Sequence, residues 1–230
     1  MVSVIIPTFN EAATLESFLR NLLNQPGDFE IIVADGGSSD ETLKVLSRFP
    51  EVRLVRSGGG RARQMNVGAR NSRVKILLFL HADTALPAEA LRKIEKSLAD
   101  PSVAAGSFSL KFDQPGGFFK VLSGFSRINH PFFTYKDQEL FLRASTFRRI
   151  EGFKEIPVME DVEIQGRLRK MGKFIKLAPP VVTSARRYLQ NGPFRQHWIT
   201  TGVVLRYHLG VSPYLLGRRY YRNHSQGESR

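Results

Sequence analysis

Along the first ninety positions, short runs of consecutive apolar residues alternate with segments whose apolar residues recur every three or four places. Residues 2–7, 29–35, 52–55 and 74–80 are the apolar runs, rich in valine, isoleucine and leucine, and they predict strands. Between the first two, Ala12, Leu15, Leu19, Leu22 and Leu23 have the spacing of one buried helix face. Asp40 is placed to cap a second helix that carries Leu43 and Leu46. Further on, a helix opens at Met159-Glu160-Asp161 and runs through Leu168, Val181-Val182 is strand-like, and residues 194–207 and 212–222 predict two helices separated around Gly210. Apolar strands alternating with amphipathic helices imply an α/β fold with a mostly parallel central sheet flanked by helices.

The polar residues collect where these strands end. The first run leads into Pro7-Thr8-Phe9-Asn10-Glu11, the second into Asp35-Gly36-Gly37-Ser38-Ser39-Asp40, and the fourth into His81-Ala82-Asp83-Thr84. Any one of these is ordinary turn chemistry. Three at the carboxyl ends of parallel strands predict a shared crevice, because ligands of open α/β sheets bind there.

Composition narrows the chemistry. The chain of 230 residues has no cysteine, which excludes disulfides, thiolate nucleophiles and cysteine-ligated zinc and fits a reducing compartment. No stretch approaches the roughly 20 apolar residues of a membrane span, and the start lacks a signal-peptide pattern. The expectation is a soluble, cytoplasmic protein. Its net charge of +13 is unevenly spread. Residues 1–139 hold 17 Lys+Arg against 15 Asp+Glu, whereas 140–230 hold 17 against 6, with no acidic residue between Glu163 and Glu228. That asymmetry fits a polyanionic partner or an anionic membrane surface, and equally a solvated basic face.

Magnesium and manganese take one or two protein carboxylates and complete their shell with phosphate and water. Asp83 suits that role, with His81 two residues away on the same side of an extended segment. Gly58-Gly59-Gly60-Arg61 lacks the Gly-Lys-Ser/Thr of a P-loop, and no G-x-G-x-x-G is present, which argues against a P-loop NTPase and a dinucleotide-dependent oxidoreductase. Asp161, at a helix N-terminus, is either first-turn charge complementation or a general base aimed at an acceptor hydroxyl.

Five of these segments together resemble family-2 glycosyltransferases of the GT-A fold, in order from Val2 to about Leu189. The opening strand and turn are similar to the nucleotide-lining segment, which implies Pro7, Thr8, Asn10 and Glu11 as nucleotide contacts. Asp35-Gly36-Gly37-Ser38-Ser39-Asp40-Glu41-Thr42 resembles the D-G-S-x-D-x-T motif, implying that Asp35 binds the donor base. Gly60-Arg61-Ala62-Arg63-Gln64-Met65-Asn66-Val67-Gly68 is similar to G-K-A-x-A-L-N-x-G and brings in Arg61 and Asn66. His81-Ala82-Asp83 resembles D-x-D with His81 in place of the first Asp; it implies Asp83 and His81 at the metal, and imidazole leans the choice towards Mn2+ over Mg2+. Glu160-Asp161 resembles the E-D pair whose Asp is the catalytic base. Asp137 and Gln138 resemble the D-Q pair of a bacterial sub-group and, with Glu160, Arg186 and Arg187, are candidates beside the donor or acceptor.

The resemblance implies a metal-dependent, inverting transfer of a sugar from a nucleotide-diphosphate donor to a hydroxyl acceptor. The organisation it suggests is a nucleotide-sugar transferase domain over 1–190, followed by a basic, aromatic helical extension over 191–230. That extension either belongs to the same domain or docks on a membrane, which would place the protein peripherally at the inner face with a lipid-linked or lipophilic acceptor. Two rival readings remain. A nucleotidyltransferase would need a glycine- and lysine-rich turn after the first strand, which is missing. A nucleic-acid binder would leave Asp35, Asp83 and Asp161 without purpose, so no nucleic acid is expected as partner.

Overall fold

The structure, a computed structural model, describes residues 1–130 and 139–218. In chain order its elements are β1 (Val2–Thr8), α1 (Ala12–Leu23), β2 (Phe29–Asp35), α2 (Thr42–Leu46), β3 (Val52–Arg56), α3 (Arg61–Arg70), β4 (Ile76–Phe79) and β5 (Thr84–Ala85). They continue with α4 (Ala90–Leu98), β6 (Val103–Phe112), α5 (Gly117–Ser126), β7 (Phe141–Arg143), α6 (Ala144–Arg149), α7 (Glu160–Met171), β8 (Lys173–Thr183), α8 (Arg186–Asn191) and α9 (Pro193–His208). Residues 213–218 are also helical.

Eight strands form one sheet in the order β3-β2-β1-β4-β7-β6-β8-β5. The first four are mutually parallel, as the apolar runs predict. β6 and β8 are also parallel to each other and run with β4, so the sheet is mostly parallel, as expected, though not purely so. β7 runs antiparallel to both β4 and β6, and β5 runs antiparallel to β8, so the sheet is mixed. Three-residue β7 and two-residue β5 are too short to carry a periodicity, which is why their direction was not legible.

Two apolar layers cover the sheet. On one, Leu15, Leu19 and Leu22 of α1 and Leu91, Ile94 and Leu98 of α4 pack against Val4, Ile6, Ile31, Val33 and Leu78. On the other, Met65 of α3 and Ile164 and Leu168 of α7 pack with Ile5, Leu77, Phe79, Leu142 and Phe153. The side chains alternate along β1, with Val4 and Ile6 to one layer and Ile5 to the other, so both faces of the strand are dry. Gly68 lets α3 lie directly on β1: a Cβ there would overlap Ile5 Cγ2.

The C-terminal helices are not a detached appendage. Val203 of α9 and Leu216 of the last helical segment bury against Val158, with Met159, Tyr207 and Val211 packed around them. No helix among the described residues is long and apolar enough to cross a membrane.

Candidate active site

The parallel register aligns the ends of β2, β1 and β4. Thr8 pairs with Asp35 and Ile5 with Phe79, while Leu80 N–H donates to Ile5 O at 2.9 Å. The three polar clusters therefore leave the sheet side by side, at the edge where α/β sheets bind ligands.

The first two clusters are laced together. Asp35, 2% exposed, accepts hydrogen bonds from Gly37 N–H at 3.0 Å and Ser38 N–H at 3.2 Å, so its carboxylate shapes the turn that follows β2. Asn10, with φ of 53°, accepts from Ser39 N–H through Oδ1 at 2.9 Å, and its own N–H donates to Ser38 Oγ. Asp40 accepts from Thr42 N–H at 3.0 Å and from Ala12 N–H at 3.2 Å, serving the starts of α2 and α1 together. The Thr42 hydroxyl holds the Asp40 carboxyl below the usual carboxylate range. Thr8 is buried, its hydroxyl within 3.4 Å of Ile6 O, and Pro7 is half-buried. Gln64 of α3 ties the two strand ends, donating through Nε2 to Thr8 O at 2.7 Å and Ala34 O at 2.9 Å.

Beside β4 the chain forms a small cavity of about 30 Å3, large enough for one water or one hydroxyl group. Arg61 from the start of α3, His81 from the end of β4, and Asp161 and Gln165 from α7 line it with Glu139. Met65, Phe79 and Phe153 form apolar wall. Arg61 Nε donates to Glu160 Oε1 at 2.6 Å, and Glu160 is 4% exposed. This ion pair joins α3 to the first turn of α7 and leaves the neighbouring Asp161 half-buried in the cavity wall, with Oδ1 accepting from Val162 N–H at 2.9 Å. Glu139, also buried and with φ of 41°, accepts from His81 N–H at 3.2 Å. Gln165 Oε1 is buried and has no hydrogen-bond partner among the described residues.

Asp83 lies on the rim, exposed, with Thr84 Oγ1 3.2 Å from its carboxylate. Its backbone carbonyl accepts from Ser184 N–H at 3.1 Å, which draws the β8–α8 junction to the same rim. Arg186 then reaches Glu11, with 3.8 Å between guanidinium and carboxylate. Residues from positions 11, 83 and 186 so close one edge.

Of the residues singled out in the sequence, Arg61, His81 and Asp161 share the cavity; Glu11, Asp83 and Arg186 share the rim; Asp35 and Asn10 shape the adjoining turn. Asn66 is different. Its amide donates to Phe153 O at 2.8 Å and accepts from Phe153 N–H at 2.9 Å, so both ends of the side chain bond the backbone of Phe153. Arg187 is exposed on α8. Asp137 and Gln138 lie outside the described residues. Glu139, Gln64 and Gln165 were missed: each follows or sits inside a segment already noted, but nothing in a single sequence marks a buried polar residue as distinct from an exposed one.

The sequence and the fold have counterparts. Residues 3–150 match the family model "Glycosyl transferase family 2". The chain belongs to that family. Among family relatives, a "PGL/p-HBAD biosynthesis glycosyltransferase" of Mycobacterium bovis is 42% identical over 93 residues, 37% of this chain and 36% of the relative. The Staphylococcus aureus poly(ribitol-phosphate) beta-N-acetylglucosaminyltransferase TarP is 32% identical over 102 residues, 40% of this chain and 31% of the relative. The matched segments thus span about a third of those curated relatives. The mannosyltransferase PcManGT from Pyrobaculum calidifontis, solved with GDP-Man and Mn2+, superposes with a TM-score of 0.68 at 25% identity, covering 88% of this chain and 60% of that one. S. aureus TarS, at 18% identity and a TM-score of 0.64 over 88% of this chain and 64% of its own, shares the fold.

Proposed function

We propose that this family-2 protein is an inverting transferase moving a sugar from a nucleotide-diphosphate donor to a hydroxyl acceptor. One observation carries the reading: Asp161 lines a cavity together with Arg61 and His81, next to a rim bearing Asp83. Solved neighbours of this fold hold GDP-Man or UDP-GlcNAc, which supports a nucleotide sugar as the donor class.

Asp161 takes the proton of the acceptor hydroxyl as that oxygen attacks the anomeric carbon. A single in-line displacement from the face opposite the diphosphate inverts the configuration. The Arg61–Glu160 pair, with its carboxylate buried, fixes the first turn of α7, and with it the direction of Asp161. Asp35, Asn10 and the turn they shape receive the nucleoside, and Arg186 meets the leaving diphosphate from the rim, where Arg is suited to bidentate phosphate contact. His81, held through its backbone by Glu139, lines the cavity with Asp161.

Among the described residues, no group of three or more His, Asp or Glu side chains is close enough to hold a metal ion unaided. An exposed carboxylate at Asp83, with the His81 imidazole two residues away, instead fits a cation that takes one or two protein ligands and completes its shell from diphosphate and water. Mn2+ or Mg2+ bound there would neutralise charge on the departing diphosphate. The acceptor in this reading is lipid-linked or lipophilic, met at the inner face of an anionic membrane.

Asp161→Asn should abolish transfer while nucleotide diphosphate still binds. Transfer at near wild-type rate by that variant would remove Asp161 as the base. Asp83→Ala should lose the manganese-dependent part of nucleotide binding, measured by calorimetry with and without the ion.

A further inference from the structure

The last helices carry a surface that sugar transfer itself does not use. On α9, Phe194 is 69% exposed, Trp198 72% and Leu205 48%, and Leu209 at its end is 74% exposed. At about 100° per residue these four fall within about 60° of one another around the axis, in a stripe about 22 Å long. The exposure is not a poorly filled core. α9 already buries its other face, through Gln196, Thr200, Val203 and Val204. Tyr214 and Leu215 extend the apolar surface onto the next helical segment.

The rim of this stripe is cationic. Arg195 and Arg206 are exposed along one side of it, and Arg187 and Arg218 are exposed on the neighbouring helices. No acidic residue occurs from position 164 to 227 to offset them. A second copy of the chain would press two such rims together, and a nucleic acid would leave Leu205 and Leu209 against phosphate or water. Long apolar and aromatic side chains flanked by arginine match an anionic bilayer surface on both counts.

We propose that this stripe is a membrane-docking face, seating Phe194, Trp198, Leu205 and Leu209 at headgroup depth with Arg195 and Arg206 on lipid phosphates. Its connection to catalysis rests on the transferase reading. Through Val203 and Tyr207 the opposite face of α9 packs on Val158 and Met159, the two residues before Glu160 and Asp161. A bilayer held by the stripe lies about one helix diameter, ~10 Å, behind that loop. A lipophilic acceptor is then presented to Asp161 without crossing bulk water.

Trp198 is the chain's only tryptophan, so its emission reports the face directly. The intact chain is titrated with phosphatidylcholine vesicles, with and without about 30 mol% phosphatidylglycerol, and sedimented with them. The expected result is a blue shift and co-sedimentation with the anionic vesicles, weakened by salt. Leu205→Glu/Leu209→Glu, which keeps the reporter, should bind at least about tenfold more weakly. Arg195→Gln/Arg206→Gln should lose the preference for anionic lipid while keeping the fold by circular dichroism. Unshifted emission with anionic vesicles at low salt overturns the proposal. So does a wild-type dimer that the leucine variant splits, or a shift produced by an oligonucleotide and not by vesicles. Manganese-dependent binding of GDP or UDP, measured without vesicles, tests the transferase reading separately: either result can fail while the other stands.

Discussion

At the scale of single residues, the site depends on polar groups whose partners are backbone. Asn66 shows how a motif position can be structural. Replacing it with Ala strands both polar groups of the Phe153 peptide in a buried environment, a cost of about 2–3 kcal/mol. We therefore expect Asn66→Ala to lower the urea midpoint markedly while nucleotide affinity measured on the folded protein changes less than about twofold. Gln165 is the reverse case. Its Oε1 lacks a partner among the described residues, so Gln165→Leu should leave stability unchanged or raised. Under the transferase reading the same change should raise KM for donor or acceptor, because the cavity loses an acceptor atom; an unchanged KM would remove Gln165 from the site. The sequence motifs named Arg61, His81 and Asp161 and left out Glu139, although it directly follows Asp137-Gln138. Its significance is a matter of burial beside the His81 peptide, and burial is a property of the folded chain.

Elements add constraints that no residue type announces. α3 touches β1 closely enough that Gly68→Ala must displace the helix or Ile5, with an expected loss of about 1–3 kcal/mol by denaturant unfolding. Because α3 carries both Arg61 and Gln64, that displacement should also reduce nucleotide binding, a double effect absent from an Ala substitution on the outer face of the same helix. On β8, burial and the nearby Arg169 push the Lys176 ammonium down from 10.5 to about 7. Above pH 7 the folded protein has released a proton that the unfolded chain keeps until about 10.5, so this group makes stability rise with pH across that interval. Lys176→Met should flatten the rise, as read from urea midpoints at pH about 7 and about 9.5. The helix opening at Glu160 and the first four strands were legible from apolar spacing to within a few residues. β6 and β7 were not, since Gly106 and small serines and alanines break the apolar pattern of the former and the latter has three residues.

For the whole molecule, the informative fact is where segments distant in sequence meet. Glu11, Asp83 and Arg186 share a rim, and α9 with the segment after it braces the loop that presents Asp161. A boundary at 190 therefore cuts through packed apolar surface. A chain ending there would expose Val158 and Met159, and we expect it to melt several degrees lower and, under the transferase reading, to lose transfer activity. Thermal unfolding matching the full chain would instead mark 191–230 as a separable extension.

The amino-acid sequence by itself determined the alternation of strands and helices, the polar clusters at three strand ends and the basic bias of the final third, because each is a local pattern of residue types. The tertiary structure alone decided that the sheet is mixed, that Asn66 bonds the backbone of Phe153, that Glu139 and Gln165 join Asp161, and that one face of α9 is covered while the other is bare. These depend on which surfaces meet. That is settled by burial and close packing between segments as much as a hundred residues apart.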